Sequence, residues 1–498
     1  MKREVVIAID QGTTGSTVLA FDRAGRVLGR GYSPFPQHFP RPGWVEHRGN
    51  ELLASVREAC SRALDQGGLQ PAELVAVGIT NQRETAFLWD RATGEALHPG
   101  IVWQCRRSAA IGQAHREAGR EPDLSRRTGL LLDPYFSGTK WQWLLEQDET
   151  LARRARSGEA RAGTVDSFLV HHLTGGHVHV TDPSNASRTL LLDLDGQDWA
   201  PDLLDCFGLP AAMMPRVVPT GGVLGTVRDF APLPDGLPIA AIVGDQQAAL
   251  FGQRAWTAGE GKCTYGTGCF LLVHTGDRPV QSHQRLLTTV AWEMGGVREF
   301  ALEGSVFMGG ATIQWLRDGL GLIVSADETE ALARSVPDSG GVVLVPAFTG
   351  LGAPHWDPEA RGTLLGLTRG TGRAHVVRAA LEGVAFQVAE LVEAMERDLS
   401  RPLASLRVDG GATANGFLLE TQAGLLGLPV VRANQVESTA WGAAAIAGLA
   451  TGFWASRADL PEPGEVSTFV PDMPGDARER RLATWRRAVD RARAWGEA

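Results

Sequence analysis

Residues 5–22 read VVIAIDQGTTGSTVLAFD. Val5 to Ile9 form an apolar run rich in β-branched side chains, the composition of a strand buried on both faces. Asp10 ends that run. Gly12, Thr13, Thr14, Gly15 and Ser16 make a tight turn, and a second apolar run, Val18 to Phe21, follows. The stretch therefore reads as strand, turn, strand. Small hydroxyls and approachable backbone N–H groups in such a turn hold phosphate without bulk in the way. Asp10, at the entrance, is a hard oxygen ligand of the kind that holds Mg²⁺ and its waters. The same residues suit a hairpin whose glycine and threonine serve only turn geometry. This stretch alone leaves both readings open.

Outward from it, length and composition set the bounds. A chain of 498 residues is too long for one core and implies two or three large domains. With 43% hydrophobic and 21% charged residues it has the make-up of an ordinary globular protein. A formal charge of −9 argues against nucleic acid as a partner, which would call for a basic surface. The cysteines Cys60, Cys105, Cys206, Cys263 and Cys269 are scattered without metal-type spacing and suit a reducing compartment. Asp10 breaks the first apolar run too early for a signal peptide. The uncharged stretch Ala440 to Ala455 is too short to span a bilayer and reads as a buried helix. A cytoplasmic protein with no membrane span is expected.

Along the chain, Arg23 to Gly43 is rich in glycine and proline and reads as turn and loop. Glu51 to Leu64 has helical spacing, with Leu52, Leu53, Val56, Ala59, Cys60 and Ala63 on one face. A strand, Leu74 to Ile79, ends in Thr80-Asn81-Gln82-Arg83-Glu84-Thr85. Such a polar cluster lies where open α/β sheets keep their ligands. Another strand leads into Trp103-Gln104-Cys105-Arg106-Arg107, and a loop carries Asp133 to Gly138. The basic run Arg153 to Arg161 reads as solvated helix surface. Ile239 to Val243 is a short strand ending in Gly244-Asp245-Gln246-Gln247, and a helix follows.

The glycine-bearing segment Gly252 to Gly261 reads as a boundary between domains 1–252 and 253–498. Beyond it Lys262 to His274, KCTYGTGCFLLVH, repeats strand, Gly-Thr turn, strand. Pairing Gly12-Thr13 with Gly266-Thr267 suggests two similarly built halves with a nucleotide cleft between them. Glu303 to Leu320 begins strand-like and turns helical at Gly309-Gly310. Glu382 to Leu399 is an amphipathic helix, and Leu406 to Asp409 is a strand that opens onto Gly410-Gly411. A last helix, Leu482 to Trp495, places Trp485, Val489, Ala492 and Trp495 inward and its arginines outward.

The P-loop, the dinucleotide fingerprint and the protein-kinase motifs are all missing. Phosphate would therefore be held by glycine/threonine hairpins, as in the sugar-kinase, actin and chaperone class of ATP clefts. Seven motifs carry a closer resemblance: Asp10-Gln-Gly-Thr-Thr, Gly78 to Thr85, Val102 to Arg107, Asp133 to Lys140, Gly244 to Gly252, Thr264 to Phe270 and Asp409 to Ala412. In the same order they resemble the glycerol kinases of the FGGY carbohydrate kinase family, from residue 5 to about the C-terminal helix. The resemblance implies a two-domain α/β chain of duplicated ribonuclease-H-like (actin/hexokinase-like) ATPase fold with an interdomain cleft. It also implies Mg²⁺-dependent transfer of the ATP γ-phosphoryl group to a terminal hydroxyl of glycerol, giving sn-glycerol 3-phosphate and ADP, by a homo-oligomer (dimer or tetramer).

The residues suit that chemistry. Glycerol needs several hydrogen-bond partners and a wall for its CH edge. Arg83 and Glu84 supply a donor fork and an acceptor, Tyr135 a phenol, and Trp103 and Phe270 can sandwich the carbons. A site that hydrogen-bonds each hydroxyl can reject analogues lacking one by roughly 10⁴-fold. By the resemblance Asp245 is the general base, Gln246 a further glycerol contact, and Asp10 and Asp245 face Mg²⁺. Thr13, Thr14, Thr267, Gly310, Gln314, Gly411 and Asn415 would line ATP.

Plainer roles exist for the same residues. Arg83-Glu84 suits a surface ion pair, Asp245 an N-cap, and the glycines helix–strand packing. Where many relatives have Ser-Ser-Arg after the threonine pair, this chain has Gly15-Ser16-Thr17, without the charged phosphate contact. It also has Trp441 in place of the usual leucine before Gly442. Asp229 to Pro238 is acidic and proline-bearing, unlike the basic glycine-rich loop by which some bacterial relatives bind fructose 1,6-bisphosphate. Two other activities stay open on residues alone: a related kinase of another small polyol or ketose, and an actin- or chaperone-like ATPase.

Overall fold

A computed structural model describes residues 3–433, 437–462 and 464–496. The opening stretch forms the strands Val5–Gln11 and Gly15–Phe21, paired antiparallel with Asp10 opposite Thr17. They sit inside a six-stranded sheet ordered Gly221–Thr226, Pro238–Gly244, Leu74–Asn81, Val5–Gln11, Gly15–Phe21, Val27–Pro34. Alternation along the first strand sends its side chains into two cores. Val5, Ile7 and Ile9 pack with Leu52, Val56 and Ala63 of the helix Gly49–Gly67, while Val6 and Ala8 pack with Ala443 and Ala447 of the helix Ser438–Ala450. A strand covered by helices on both faces needs an unbroken apolar run, as this one has.

The second sheet repeats the first. Read from one edge it runs Val466–Phe469, Val430–Ala433, Leu406–Asp409, Gly261–Tyr265, Cys269–Gly276, Val297–Val306, with Leu287–Met294 added at the end. In both sheets the pairings along this order are antiparallel, parallel, parallel, antiparallel, antiparallel. The duplication inferred from one glycine–threonine pair thus extends over six strands. A further four-stranded antiparallel sheet (Glu46–His47, Ala96–Ile101, Ala86–Asp90, Ala160–Gly163) and its helices are inserted in the first half.

The halves meet where the helix Asp245–Gly252 crosses the small-residue helix Ser438–Ala450. A Cβ on Gly442 would lie 1.9 Å from the Ala248 carbonyl oxygen, and one on Gly252 2.1 Å from that of Ser438. A Cβ on Gly78 would meet the Ala443 carbonyl oxygen at 2.3 Å, so the second helix also lies directly on the first sheet. Trp441 is buried there, edge-on to Phe21 and Trp454 at centroid distances of 5.3 and 5.4 Å. Among the described residues no helix is long and apolar enough to cross a membrane.

Some expectations change. Arg23 to Gly43 is not all loop, because Val27–Pro34 is the outer strand of the first sheet. Its glycines serve packing: Cβ atoms on Gly29 and Gly31 would lie 2.1 and 1.9 Å from the carbonyl oxygens of Ala63 and Ala59. Ser137 and Gly138 are not loop but the first turn of the helix Ser137–Gln147. The amphipathic helix expected from Glu382 starts earlier and spans Arg373–Leu399. The last helix spans Gly475–Ala492, with Trp485, Val489 and Ala492 buried as expected. Trp495 does not face inward: it lies beyond the end of that helix and is 69% exposed.

Candidate active site

Strand ends bring the polyol-type residues together. Arg83 and Glu84 follow the strand Leu74–Asn81, and Asp245 opens the helix that follows the parallel neighbouring strand Pro238–Gly244. Arg83 Nε stands 3.2 Å from Asp245 Oδ1. Arg83 and Glu84 are buried and their own side chains are 3.9 Å apart, so they are not a surface ion pair. Asp245 is not the N-cap, a position held by Gly244. Its Oδ1 accepts the N–H of Gln246 at 2.7 Å.

The aromatic wall forms from three segments. Trp103 meets Tyr135 edge-on at 5.6 Å and Phe270 at 6.3 Å between centroids. Phe270 comes from the second sheet's hairpin and the other two from the inserted subdomain, so the wall spans both halves. The indole N–H of Trp103 donates to Thr13 Oγ1 at 3.0 Å, which ties the wall to the first hairpin.

Glu84 adopts a left-handed backbone (φ 60°) that is uncommon outside glycine. Its carbonyl oxygen accepts from Lys140 Nζ at 3.1 Å and Ser137 Oγ at 3.0 Å, which hold the turn in place. Lys140 also donates to the Tyr135 carbonyl. Burial brings the Lys140 amine down to about 7.

A buried ionic network surrounds these groups. Glu303 Oε2 accepts from Arg83 Nη1 at 2.5 Å and Glu303 Oε1 from Arg83 Nη2 at 3.1 Å. Arg188 donates through Nη2 to Glu303 Oε1 at 2.9 Å and through Nε to Glu84 Oε1 at 2.6 Å. Burial pushes the Glu303 carboxyl up, but Arg188 and Arg83 outweigh it and hold the group at about 2. At Glu84 burial wins over the same two arginines and the carboxyl rises above its ordinary value. Asp245 is likewise raised by burial, against the pull of Arg83 and Lys262. A carboxylate so placed is a better proton acceptor than one in water.

Arg188, Glu303, Lys140 and Lys262 were not assigned to the site from the sequence, although Lys262 carried a signal. Lys262 is the one charged residue of the strand Gly261–Tyr265, and a buried charge implies a partner, whereas Glu303 shares its strand with Arg298 and Glu299. Lys262 Nζ donates to Gln246 Oε1 at 2.5 Å and to Thr264 Oγ1 at 2.9 Å. As an ammonium can only donate, the Gln246 amide oxygen must face it, which turns the amide NH₂ away from Lys262.

The phosphate-type residues fall into two groups. Thr267, Gly310, Gln314, Gly411 and Asn415 line one cavity of about 520 Å³ in the second half, together with Ala326, Leu381 and Leu418. A Cβ on Gly310 would lie 2.8 Å from the Gly266 carbonyl oxygen, and Gly310 N donates to that oxygen at 2.8 Å, so the helix start rests on the hairpin turn. Gly411 faces open space. Asn415 lines the cavity but its side chain is also committed: Oδ1 accepts from Leu418 N at 2.9 Å and Nδ2 donates to Thr329 Oγ1 at 3.0 Å. Thr13 and Thr14 lie apart from this cavity, on the first hairpin, with Thr14 exposed. Arg83 and Asp245 do not line it either. The hairpin of Thr267 reaches the polyol-type residues through Phe270, against Trp103, and Lys262, on Gln246.

Asp10 is the group with an unmet demand. Its carboxylate makes no hydrogen bond or ion pair among the described residues, and burial, then Asp245 and Glu437, push it up to about 8. Two neighbouring carboxylates, one without a cation, fit a hard divalent ion. Gly15 leaves room for Tyr32: a Cβ there would lie 2.7 Å from the ring.

Comparison with known proteins gives the family. Residues 5–252 match the model of the N-terminal domain of the FGGY family of carbohydrate kinases, and residues 261–451 that of its C-terminal domain. The chain is 54% identical over 492 residues to a glycerol kinase of Alkalilimnicola ehrlichii, covering 99% of each chain. It is 55% identical over 491 residues to one of Aromatoleum aromaticum, covering 98% of this chain and 99% of that one. Among solved structures, Plasmodium falciparum glycerol kinase with ADP superposes with a TM-score of 0.91 at 32% identity, covering 98% of both chains.

Proposed function

The chain belongs to the FGGY family of carbohydrate kinases, and on that premise we propose that it is a glycerol kinase. It transfers the γ-phosphoryl group of ATP to a terminal hydroxyl of glycerol and releases sn-glycerol 3-phosphate and ADP. One observation carries the reading: Asp245, raised in basicity by burial, stands 3.2 Å from the Arg83 guanidinium on one side and beside Asp10 on the other. A proton acceptor thus lies where the polyol-type residues meet the phosphate-type residues.

In this reading Arg83, Glu84, Tyr135 and Gln246 bind the hydroxyls, and Trp103 and Phe270 cover the carbon edge. Asp245 takes the proton of the attacking terminal hydroxyl. The glycerol oxygen forms the new bond to the γ-phosphorus while the bond to the β,γ-bridging oxygen breaks and ADP leaves with that electron pair. Most of the acceleration comes from alignment and charge stabilisation, with base help of about 10²–10⁴-fold. Thr13, Thr14, Thr267, Gly310, Gln314, Gly411 and Asn415 hold the nucleotide, with residues 253–498 forming the nucleotide domain and residues 1–252 the glycerol domain. Asp10 and Asp245 would hold Mg²⁺, which would supply neutralisation of phosphate charge there. The five cysteines are free thiols, in keeping with a reducing, cytoplasmic setting.

The test is a coupled ADP-release assay with and without glycerol, repeated on Asp245→Asn and over a panel of small polyols and ketoses. Glycerol-dependent turnover that falls by about 10²–10⁴-fold in the variant is the expected result. Unchanged turnover in Asp245→Asn removes the base assignment. Turnover indifferent to any polyol removes the kinase reading in favour of a plain ATPase.

A further inference from the structure

We propose that Glu303, from the second half of the chain, is a positioning residue that selects which atoms of Arg83 and Glu84 are offered to the substrate. The inference rests on the reading of Arg83 and Glu84 as glycerol ligands.

A guanidinium has five N–H donors in a fixed fork. In Arg83, Nη1 gives one to Glu303 Oε2 at 2.5 Å and one to Gln247 Oε1 at 3.2 Å. Nη2 gives one to Glu303 Oε1 at 3.1 Å, and the Nε edge faces Asp245 at 3.2 Å. Among the described residues a single Nη2–H is left uncommitted. Glu303 Oε1 also takes Arg188 Nη2 at 2.9 Å, which fixes Arg188 so that its Nε engages Glu84 Oε1 at 2.6 Å. Glu84 Oε2 then remains without a hydrogen bond among the described residues. The network therefore withholds all but one donor of Arg83 and one acceptor of Glu84, the complement of substrate hydroxyls.

The direction of the contact matters. Glu303 lies on the strand Val297–Val306 of the second sheet, whereas Arg83, Glu84 and Arg188 belong to the first half. Glu303 and Arg188 are fully buried, so neither can exchange partners with water. Polyol recognition is thus assembled across the junction of the halves. The first half alone would carry two buried arginines competing for Glu84 and Asp245.

The experiment measures steady-state kinetics and ADP binding in the full-length protein for Glu303→Gln and Glu303→Asp, with Arg83→Ala beside them. A neutral amide accepts through one oxygen and turns its NH₂ toward a guanidinium. Glu303→Gln is therefore expected to raise the glycerol KM at least tenfold with the ATP KM within threefold. Its preference for glycerol over 1,2-propanediol should fall, and Glu303→Asp, which keeps the charge, should recover part of both losses. Glycerol and ATP KM values that stay constant or move together in Glu303→Gln overturn the proposal. So does loss of ADP binding in that variant, which makes Glu303 a residue of fold stability. If Arg83→Ala itself leaves the glycerol KM unchanged, the underlying site reading fails and takes this inference with it. A raised KM in Arg83→Ala with an unaffected Glu303→Gln defeats the inference alone.

Discussion

The indole N–H of Trp103 donates to Thr13 Oγ1 at 3.0 Å. One side chain thereby serves both halves of the proposed reaction: its ring walls the polyol site against Tyr135 and Phe270, and its nitrogen fixes a hydroxyl of the phosphate hairpin.

Trp103→Phe keeps an aromatic ring in the wall, though a smaller one, and removes that donor. The lost bond is worth about 1 kcal/mol, or roughly fivefold in an equilibrium constant. Because the bond spans two subsites, the KM values for glycerol and for ATP should both rise by a few-fold in steady-state assays. A rise confined to glycerol would show that the bond only orients the wall.

The crossing of the two interdomain helices leaves no room for a methyl group. At Gly442 a Cβ would lie 1.9 Å from the backbone oxygen of Ala248, and neither backbone can yield without parting the helices. Gly442→Ala should lower stability by about 1–3 kcal/mol, measured by urea denaturation. Gly411 offers the contrast, since a Cβ there meets nothing within 4 Å and the residue lines the proposed nucleotide cavity. Gly411→Ala should keep wild-type stability and raise the ATP KM. An equal loss of stability in the two variants would refute this account of both glycines.

The parts legible in the sequence were those with a short period or a long motif. The run Val5 to Ile9 announces a doubly buried strand, and the spacing Leu52, Val56, Ala59, Ala63 announces the face of the helix Gly49–Gly67. Motif resemblance brought Arg83, Trp103, Tyr135, Asp245 and Phe270 to one place. Contacts between residues distant in sequence were not legible. Gly29 and Gly31 look like turn residues until the carbonyl oxygens of Ala59 and Ala63 are seen against them. Arg188 lies 115 positions from Glu303, and only the fold of both halves puts them together. Trp495 continues the helical period of Trp485, but the helix stops at Ala492 and the pattern outruns it.

Asp10 is where function and stability should part most clearly. Its carboxylate has no cationic partner among the described residues and is held at about 8 by burial, with Asp245 and Glu437 adding repulsion. In the unfolded chain an aspartate titrates near 3.9. Between about pH 4 and pH 8 the folded state therefore binds the proton more tightly than the unfolded state. Stability contributed at this site is greatest at low pH and is lost as pH rises through that window. Asp10→Asn removes the charge and keeps the shape. Without Mg²⁺ and nucleotide, the variant should be more stable than the wild type by at least about 1 kcal/mol at pH 7.5, and the difference should vanish near pH 4. Other titrating groups are common to both proteins and cancel in that difference. Activity should move the opposite way, with kcat reduced and more Mg²⁺ needed for half-maximal rate, because the removed carboxylate is a proposed ligand of the ion. Urea midpoints measured for both proteins from pH 4 to pH 8, with and without Mg²⁺, read out both effects. A wild type more stable than Asp10→Asn at pH 7.5 in the absence of Mg²⁺ would mean that the carboxylate has a partner in the fold and is not waiting for a cation.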